Sequence, residues 1–233
     1  MTCKHPNHHT FAGMRIWPQL STLFIKELTL EMRNRYALNG ILLYVVSTVF
    51  VCYLSFQSVV SPPVWNALFW VIMLFASVNA VSRSFLQEHR YRMVYYHSLF
   101  SPQAFVLAKM AYNMVMLVVI SLLCSVAYMT FIGNMVQDHL MFIVALVLGS
   151  AGFAGIFTLM SAIAAKTDNN LSLTAILGFP IQIPFLITLI KFSKNAVDGL
   201  DRSLSMDLLL ILLAINVLVI TLSYLLFPYL WRD

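Results

Sequence analysis

The residues with the clearest capacity for chemistry lie in one polar stretch, Ser82–Pro102, which reads SRSFLQEHRYRMVYYHSLFSP. Its charged and aromatic side chains include Glu88, Arg90, Arg92, Tyr95 and Tyr96. Apolar runs of membrane-spanning length lie on both sides, and the stretch is longer than the roughly 2–8 residues that usually connect packed helices. Two interpretations fit: a short helix at the membrane surface that a soluble protein presses on, or an ordinary loop held by interfacial anchors.

The apolar runs themselves carry little chemistry. No charged residue or histidine lies in the middle of any run, which argues against coupling to protons or sodium ions. Lys109 is near the end of its run, where we expect its ammonium group to reach the membrane surface. There is no GxxxxGK[ST] sequence for binding ATP, and no catalytic residue or metal site is predicted. Five amides at depth are expected to bond neighbouring helices: Asn66, Asn79, Asn113, Gln182 and Asn216.

Two features within the runs concern helix packing or movement. Gly149, Gly152 and Gly155 in GSAGFAG form a small-residue face, for which we favour close helix packing over a gate. Pro180 and Pro184 interrupt the helical hydrogen bonds of another run twice within about one turn. That helix could simply pack, or it could be kinked or split and line a path or form a re-entrant pair.

The composition of the chain indicates that the residues named above are carried by membrane helices. The chain has 233 residues, is 61% hydrophobic and only 10% charged, far from the roughly 25% charged residues of soluble domains. Crossing a membrane takes about 20 apolar residues. We therefore predict an all-α integral membrane protein with six transmembrane helices, at residues 37–56, 63–82, 104–132, 140–164, 171–190 and 208–230.

The N-terminal region precedes this six-helix domain of residues 36–233. Residues 1–15 are predicted to be a disordered tail, although a metal site at Cys3, His5, His8 and His9 is the alternative. Residues 16–35 predict an amphipathic helix in the membrane interface, with packing on a partner protein as the alternative. Its apolar side would hold Trp17, Leu20, Phe24, Leu28 and Met32.

The positions of lysine and arginine predict the orientation. If the N-terminus is cytoplasmic, eleven of the 14 basic residues fall in inner segments, and only Lys191, Lys194 and Arg202 fall in outer ones. Both termini and Ser82–Pro102 are therefore predicted to be cytoplasmic, in a multi-pass membrane protein. Because the basic residues flank apolar runs, membrane lipid rather than nucleic acid is the expected neighbour.

The plan of an interfacial helix, six spans and a basic segment between spans two and three resembles exporter-type ABC transporter permeases. Within that group, SRSFLQEHR followed by SPQAFVLAK resembles the CcmB family, the haem exporter B proteins of cytochrome c maturation, over about residues 16–230. Many members have an acidic residue, Gly, Leu and Glu after the SRSF-like start. This chain instead has Arg90, Tyr91, Arg92 and Met93 there.

The resemblance implies that Ser82–Pro102 holds a coupling helix for a CcmA-like ATPase, with Glu88, Arg90, Arg92, Tyr95 and Tyr96 as its contacts. It also implies a CcmC-like haem-handling protein, a small CcmD-like subunit and a second copy of the chain, all in a bacterial inner membrane. ATP would bind the partner, haem would belong to the complex, and this subunit would be no enzyme. Hydrolysis would drive haem export or release of a haem-loaded chaperone. The alternatives are an ABC permease for a drug, lipid or glycan, and a membrane scaffold without transport.

Overall fold

The computed structural model of the chain describes residues 16–33, 35–56, 60–86, 100–166 and 171–232, and within them the side chains of 19–30, 39–56, 60–82, 100–165 and 173–229. Seven α-helices and a short 3-10 segment, Arg202–Ser205, make up these residues, which contain no strand. The helices are α1 (Ile16–Arg33), α2 (Arg35–Phe56), α3 (Pro62–Leu86), α4 (Pro102–Ile132), α5 (His139–Lys166), α6 (Leu171–Asp198) and α7 (Met206–Arg232).

Helices α2–α7 are each long and apolar enough to cross a membrane, whereas α1 is not among the candidate spans. The prediction of an all-α membrane protein with six spans is therefore confirmed. Successive spans run in opposite directions, so the bundle has two ends. We call the end with Leu86 and Pro102 the α3–α4 end, and the end with Ile132 and His139 the α4–α5 end.

Helix α5 is the centre of the bundle. Of its span, 67% is buried, whereas only 17% of the α2 span is buried. Helix α5 packs against α3, α4, α6 and α7, and it is apolar on all sides, as expected for a helix surrounded by other helices. The outward faces of α2, α6 and α7 carry large exposed apolar side chains, which suits a surface in contact with lipid.

A buried polar cluster pins α3 to α6. The Asn66 amide donates to the Ile190 carbonyl at 2.8 Å and accepts from the Ser193 hydroxyl at 2.8 Å. The Trp70 indole N–H donates to the same hydroxyl at 2.7 Å. Because each buried polar group has a partner, the cluster sets the register of the two helices at little desolvation cost.

Helix α6 is longer than the span predicted for it from the sequence. The predicted span ends at residue 190, but the helix continues through Asp198. Phe192, Ala196 and Val197 extend its buried face, while Lys194 lies 3.9 Å from Asp198 one turn later. The charges therefore lie along a helix side rather than in a loop. Helix α6 is also continuous through both prolines, so it is a single crossing helix rather than a re-entrant pair.

Candidate functional site at the α3–α4 end

The predicted contact residues Glu88, Arg90, Arg92, Tyr95 and Tyr96 lie outside the described residues, so their role stays a prediction. The structure does describe the two points where the polar stretch joins the bundle. At the first, the Ser161 hydroxyl of α5 donates to the Ser82 carbonyl at 3.4 Å. At the second, Ser101 precedes α4.

Ser101 is held from two directions. Its hydroxyl accepts the Ala104 N–H at 3.4 Å as the N-cap of α4, with Pro102 as the first helical residue, a favourable helix start. Its N–H and hydroxyl both donate to the side-chain oxygen of Gln19 on α1, at 3.3 and 3.2 Å. The end of the polar stretch is thus fastened to α1 as well as to α4.

A buried ion pair continues this α1–α4 junction further along both helices. The Lys109 ammonium lies 3.5 Å from the Glu27 carboxylate, and its side chain is 1% exposed against 11% for Glu27. Lys26 contributes a second ammonium at 3.0 Å. The Lys109 nitrogen also lies 5.5 Å from the centre of the Phe105 ring. Lys109 is therefore enclosed by protein, and the expectation that it reaches the membrane surface is corrected.

The charges around Glu27 oppose the effect of its burial. Burial raises the pKa of the Glu27 carboxyl, but the ammonium groups of Lys109 and Lys26 lower it. The charges outweigh burial, and the pKa lies below its ordinary value of 4.5. Glu27 is consequently a stable anion at neutral pH, and it supplies the counter-charge that a buried ammonium requires.

Helical spacing brings these groups together. Gln19, Leu23 and Glu27 recur every four residues, so they share one face of α1, and all three are buried. The Phe24 ring meets the Tyr112 ring edge-on at 6.4 Å beside them. Leu28, predicted to be on the apolar side of an interfacial helix, is exposed. The side of α1 that packs against the rest of the protein is therefore partly polar, and the apolar Leu28 lies on its exposed side.

The small-residue face of α5 approaches a different helix at each glycine. A Cβ on Gly149 would lie 2.7 Å from the Trp70 ring of α3, and one on Gly155 would lie 2.9 Å from Val219 of α7. At Gly152 it would overlap the Phe185 ring of α6. Any larger residue at these positions would separate α5 from its neighbours, which supports the packing interpretation.

The amides at membrane depth differ in their partners. Asn66 bonds α6, as described above, and the Asn113 amide donates to the Thr158 hydroxyl of α5 at 2.8 Å. The amides of Asn79 and Asn216 donate to their own helices at 3.0 and 2.9 Å, and the Asn216 amide also donates to the Leu148 carbonyl of α5 at 3.5 Å. Gln182, between Pro180 and Pro184, is 1% exposed. Neither polar atom of its side chain has a hydrogen-bond partner in the described part of the chain.

The α4–α5 end is closed by an exposed ion pair. Asp138 accepts from the Arg202 guanidinium at 2.8 and 3.2 Å and from the Met141 N–H at 3.1 Å. The bond to Arg202, followed by the bond to Met141, holds the pKa of the Asp138 carboxyl below its ordinary value. This pair joins the start of α5 to the turn before α7.

Among the described residues, no group of three or more His, Cys, Asp and Glu side chains could hold a metal ion.

The α1–α4 junction was missed by sequence reasoning. A visible signal was the four-residue spacing of Gln19, Leu23 and Glu27, which mixes polar and apolar residues on one face. The arrangement at the α3–α4 end can anchor and transmit force, since it fastens both ends of one polar stretch to the bundle.

Comparison with known proteins identifies the family of the chain. A family model described as CcmB protein matches residues 18–229, which include most of α1 and nearly all of the bundle. No curated protein matches the chain. The chain therefore belongs to the CcmB family, whose members are membrane components of haem-export ABC systems in cytochrome c maturation.

Proposed function

We propose that the chain is the membrane permease subunit through which a partner ATPase acts, with Ser82–Pro102 as the segment that the ATPase grips. The single observation that carries this proposal is the anchoring of both segment ends, by Ser161 at Ser82 and by Gln19 at Ser101. A displacement of the segment would reach α5 through one end and the α1–α4 junction through the other.

The proposed orientation of the protein in the membrane is supported by its charge distribution. The ATPase is soluble, so the segment must face the cytoplasm of a bacterium with the protein in its inner membrane. The basic residues of Ser82–Pro102 and both termini favour this side. Membership of an ABC complex accounts for the missing ATP-binding sequence, because the partner supplies the nucleotide site. CcmC-like and CcmD-like subunits and a second copy of the chain complete the proposed complex.

Haem is proposed to be handled by the partner subunits. The one described histidine, His139, lies at the start of α5 and is 3.1 Å from the Asn134 amide, away from the middle of the membrane. This favours release of a haem-loaded chaperone over passage of haem through the subunit. The purified subunit alone should show no stoichiometric Soret absorption, and a Soret band lost on replacing Met116 or Met129 would contradict this.

The test of the proposed function is the double replacement Tyr95→Ala with Tyr96→Ala. Aromatic and arginine anchors usually carry most interface energy, about 2 kcal/mol or more each, whereas rim charges chiefly affect encounter rate. The double variant should lose the ATPase on purification and reduce cytochrome c, while Glu88→Ala loses less and the membrane level stays normal. Retained ATPase and normal cytochrome c in the tyrosine variant would reduce Ser82–Pro102 to an anchored loop.

A further inference from the structure

Gln182 lies where a membrane protein should least tolerate an unsatisfied amide. Its side chain is 1% exposed, near the middle of a span, and its Nε2 and Oε1 atoms find no hydrogen-bond partner in the described part of the chain. Burying such a group without a partner is costly in an apolar medium. An unpaired buried polar group therefore needs an explanation other than stability.

Helical register places Gln182 against the glycine face of α5. Residues one turn away in each direction contact α5: Gly178 meets the Phe157 ring, and Phe185 meets Gly152. Leu189, two turns along, meets Gly149. Because Gln182 shares their side of α6, its amide belongs to the same α5–α6 interface.

The backbone of α6 is weakened on both sides of this residue. Pro180 and Pro184 have no N–H, so the carbonyls of Ile176 and Pro180 lose their usual donors one turn later. Both prolines are on the exposed side of the helix, opposite Gln182. A helix that lacks two hydrogen bonds on one side bends there more readily than a regular one. Bending at this place would separate α6 from α5 at the level of Gln182.

We propose that Gln182 is the polar contact of a site between α5 and α6 that admits a small neutral solute able to donate and accept hydrogen bonds, water being the smallest. The amide offers one acceptor and two donor hydrogens, which is the complement such a solute needs. The site opens as α6 bends at its two prolines. This inference rests on the proposed function only in that ATP hydrolysis by the partner drives the bending.

The first experiment separates a functional amide from a structural one. Gln182→Met keeps the length of the side chain and removes both unsatisfied atoms, so the thermal unfolding midpoint of the complex should rise. The co-purified ATPase should be unchanged, while cytochrome c should fall several-fold. Asn113→Leu is the matched control, and it should lower the midpoint because that amide is bonded to Thr158.

A second experiment tests access directly. Gln182→Cys is made in a chain whose native cysteines Cys3, Cys52 and Cys124 are replaced, and the complete complex in membranes is treated with methyl methanethiosulfonate, a small neutral reagent. Labelling should be slow without ATP and should accelerate several-fold with ATP. A bulky charged reagent is tested in parallel and should not label Gln182→Cys in either state, because the proposed site admits only small neutral solutes.

Three results overturn the proposal. They are a lower unfolding midpoint in Gln182→Met, normal cytochrome c in that variant, and a labelling pattern of Gln182→Cys in which the small neutral reagent never reacts or the bulky charged one does. Failure of the proposed function would look different, because the ATPase would then not co-purify with the unaltered chain. The unfolding midpoint and the labelling without ATP would still report on Gln182 in that case.

Discussion

The ion pair between Glu27 and Lys109 allows the α1–α4 junction to be tested quantitatively. At the observed 3.5 Å, two unit charges attract by about 5 kcal/mol when the effective dielectric constant is about 20. Desolvation offsets much of that gain, but removing one partner of a buried pair typically costs about 3–5 kcal/mol. Because Glu27 keeps some exposure, we expect Glu27→Gln to lower the free energy of unfolding by about 3 kcal/mol, the smaller end of that range.

Replacing the other partner of the pair should cost less stability. Lys109→Met removes the buried ammonium and leaves Glu27 beside Lys26 at 3.0 Å, so we expect a loss of about 1 kcal/mol, as for a partly exposed pair. The double variant should resemble Lys109→Met alone, since neither charge then remains buried. The double-mutant cycle should therefore show a coupling energy of about 2–3 kcal/mol, the upper part of the range for contacting residues.

The assay is denaturant unfolding of the purified subunit in mild detergent, with the amount of co-purified ATPase as a second measurement. Lys194→Met is the control, because its pair with Asp198 is exposed and 3.9 Å long. It should change stability by less than about 0.5 kcal/mol. Additive effects in the cycle, or a neutral Glu27→Gln, would show that the pair does not hold the junction.

Three further predictions concern acidity, packing and topology. Folding lowers the pKa of Glu27, so the stability that its carboxylate contributes is complete above its ordinary pKa of 4.5 and is lost as the pH falls through the lowered folded value. The difference in unfolding free energy between the unaltered chain and Glu27→Gln should therefore narrow as the pH falls through that range. Gly152→Ala should destabilise the bundle by about 1–3 kcal/mol through overpacking, whereas Gly40→Ala, with open space around it, should be nearly neutral by the same unfolding assay. In a chain without native cysteines, Ser61→Cys should react with an impermeant thiol reagent from outside and Asn169→Cys should not; the opposite pattern would reverse the proposed orientation.

Hydropathy predicts the spans well because each crossing needs a long apolar run, and that requirement acts on single helices. The predicted end of α6 at residue 190 is too early, because Phe192 and Val197 continue a buried face between charged residues. For α1 hydropathy identifies an apolar side but not what that side contacts, because an apolar residue in a membrane protein is as stable against lipid as against protein. Exposed Leu28 and buried Gln19 show that hydrophobicity does not identify the protein-facing side there.

The candidate site depended on pairings that no local pattern contains. Glu27 and Lys109 are far apart in sequence, and only the packing of α1 on α4 shows that they meet. The polar stretch itself was visible from composition. Gln182 illustrates the converse: its type suggested a bond to a neighbouring helix, and only the structure shows that its side chain has no hydrogen-bond partner in the described part of the chain.

The central place of α5 has a consequence for how the protein is made. The chain emerges from the N-terminus, so α5 enters the membrane before α6 and α7 exist. Its glycine face then lacks Phe185 at Gly152 and Val219 at Gly155, and lipid must fill both gaps until the later helices arrive. The bundle therefore cannot close until the last helix is inserted. A chain that stops before α7 would present an incomplete centre to the proteases that survey new membrane proteins.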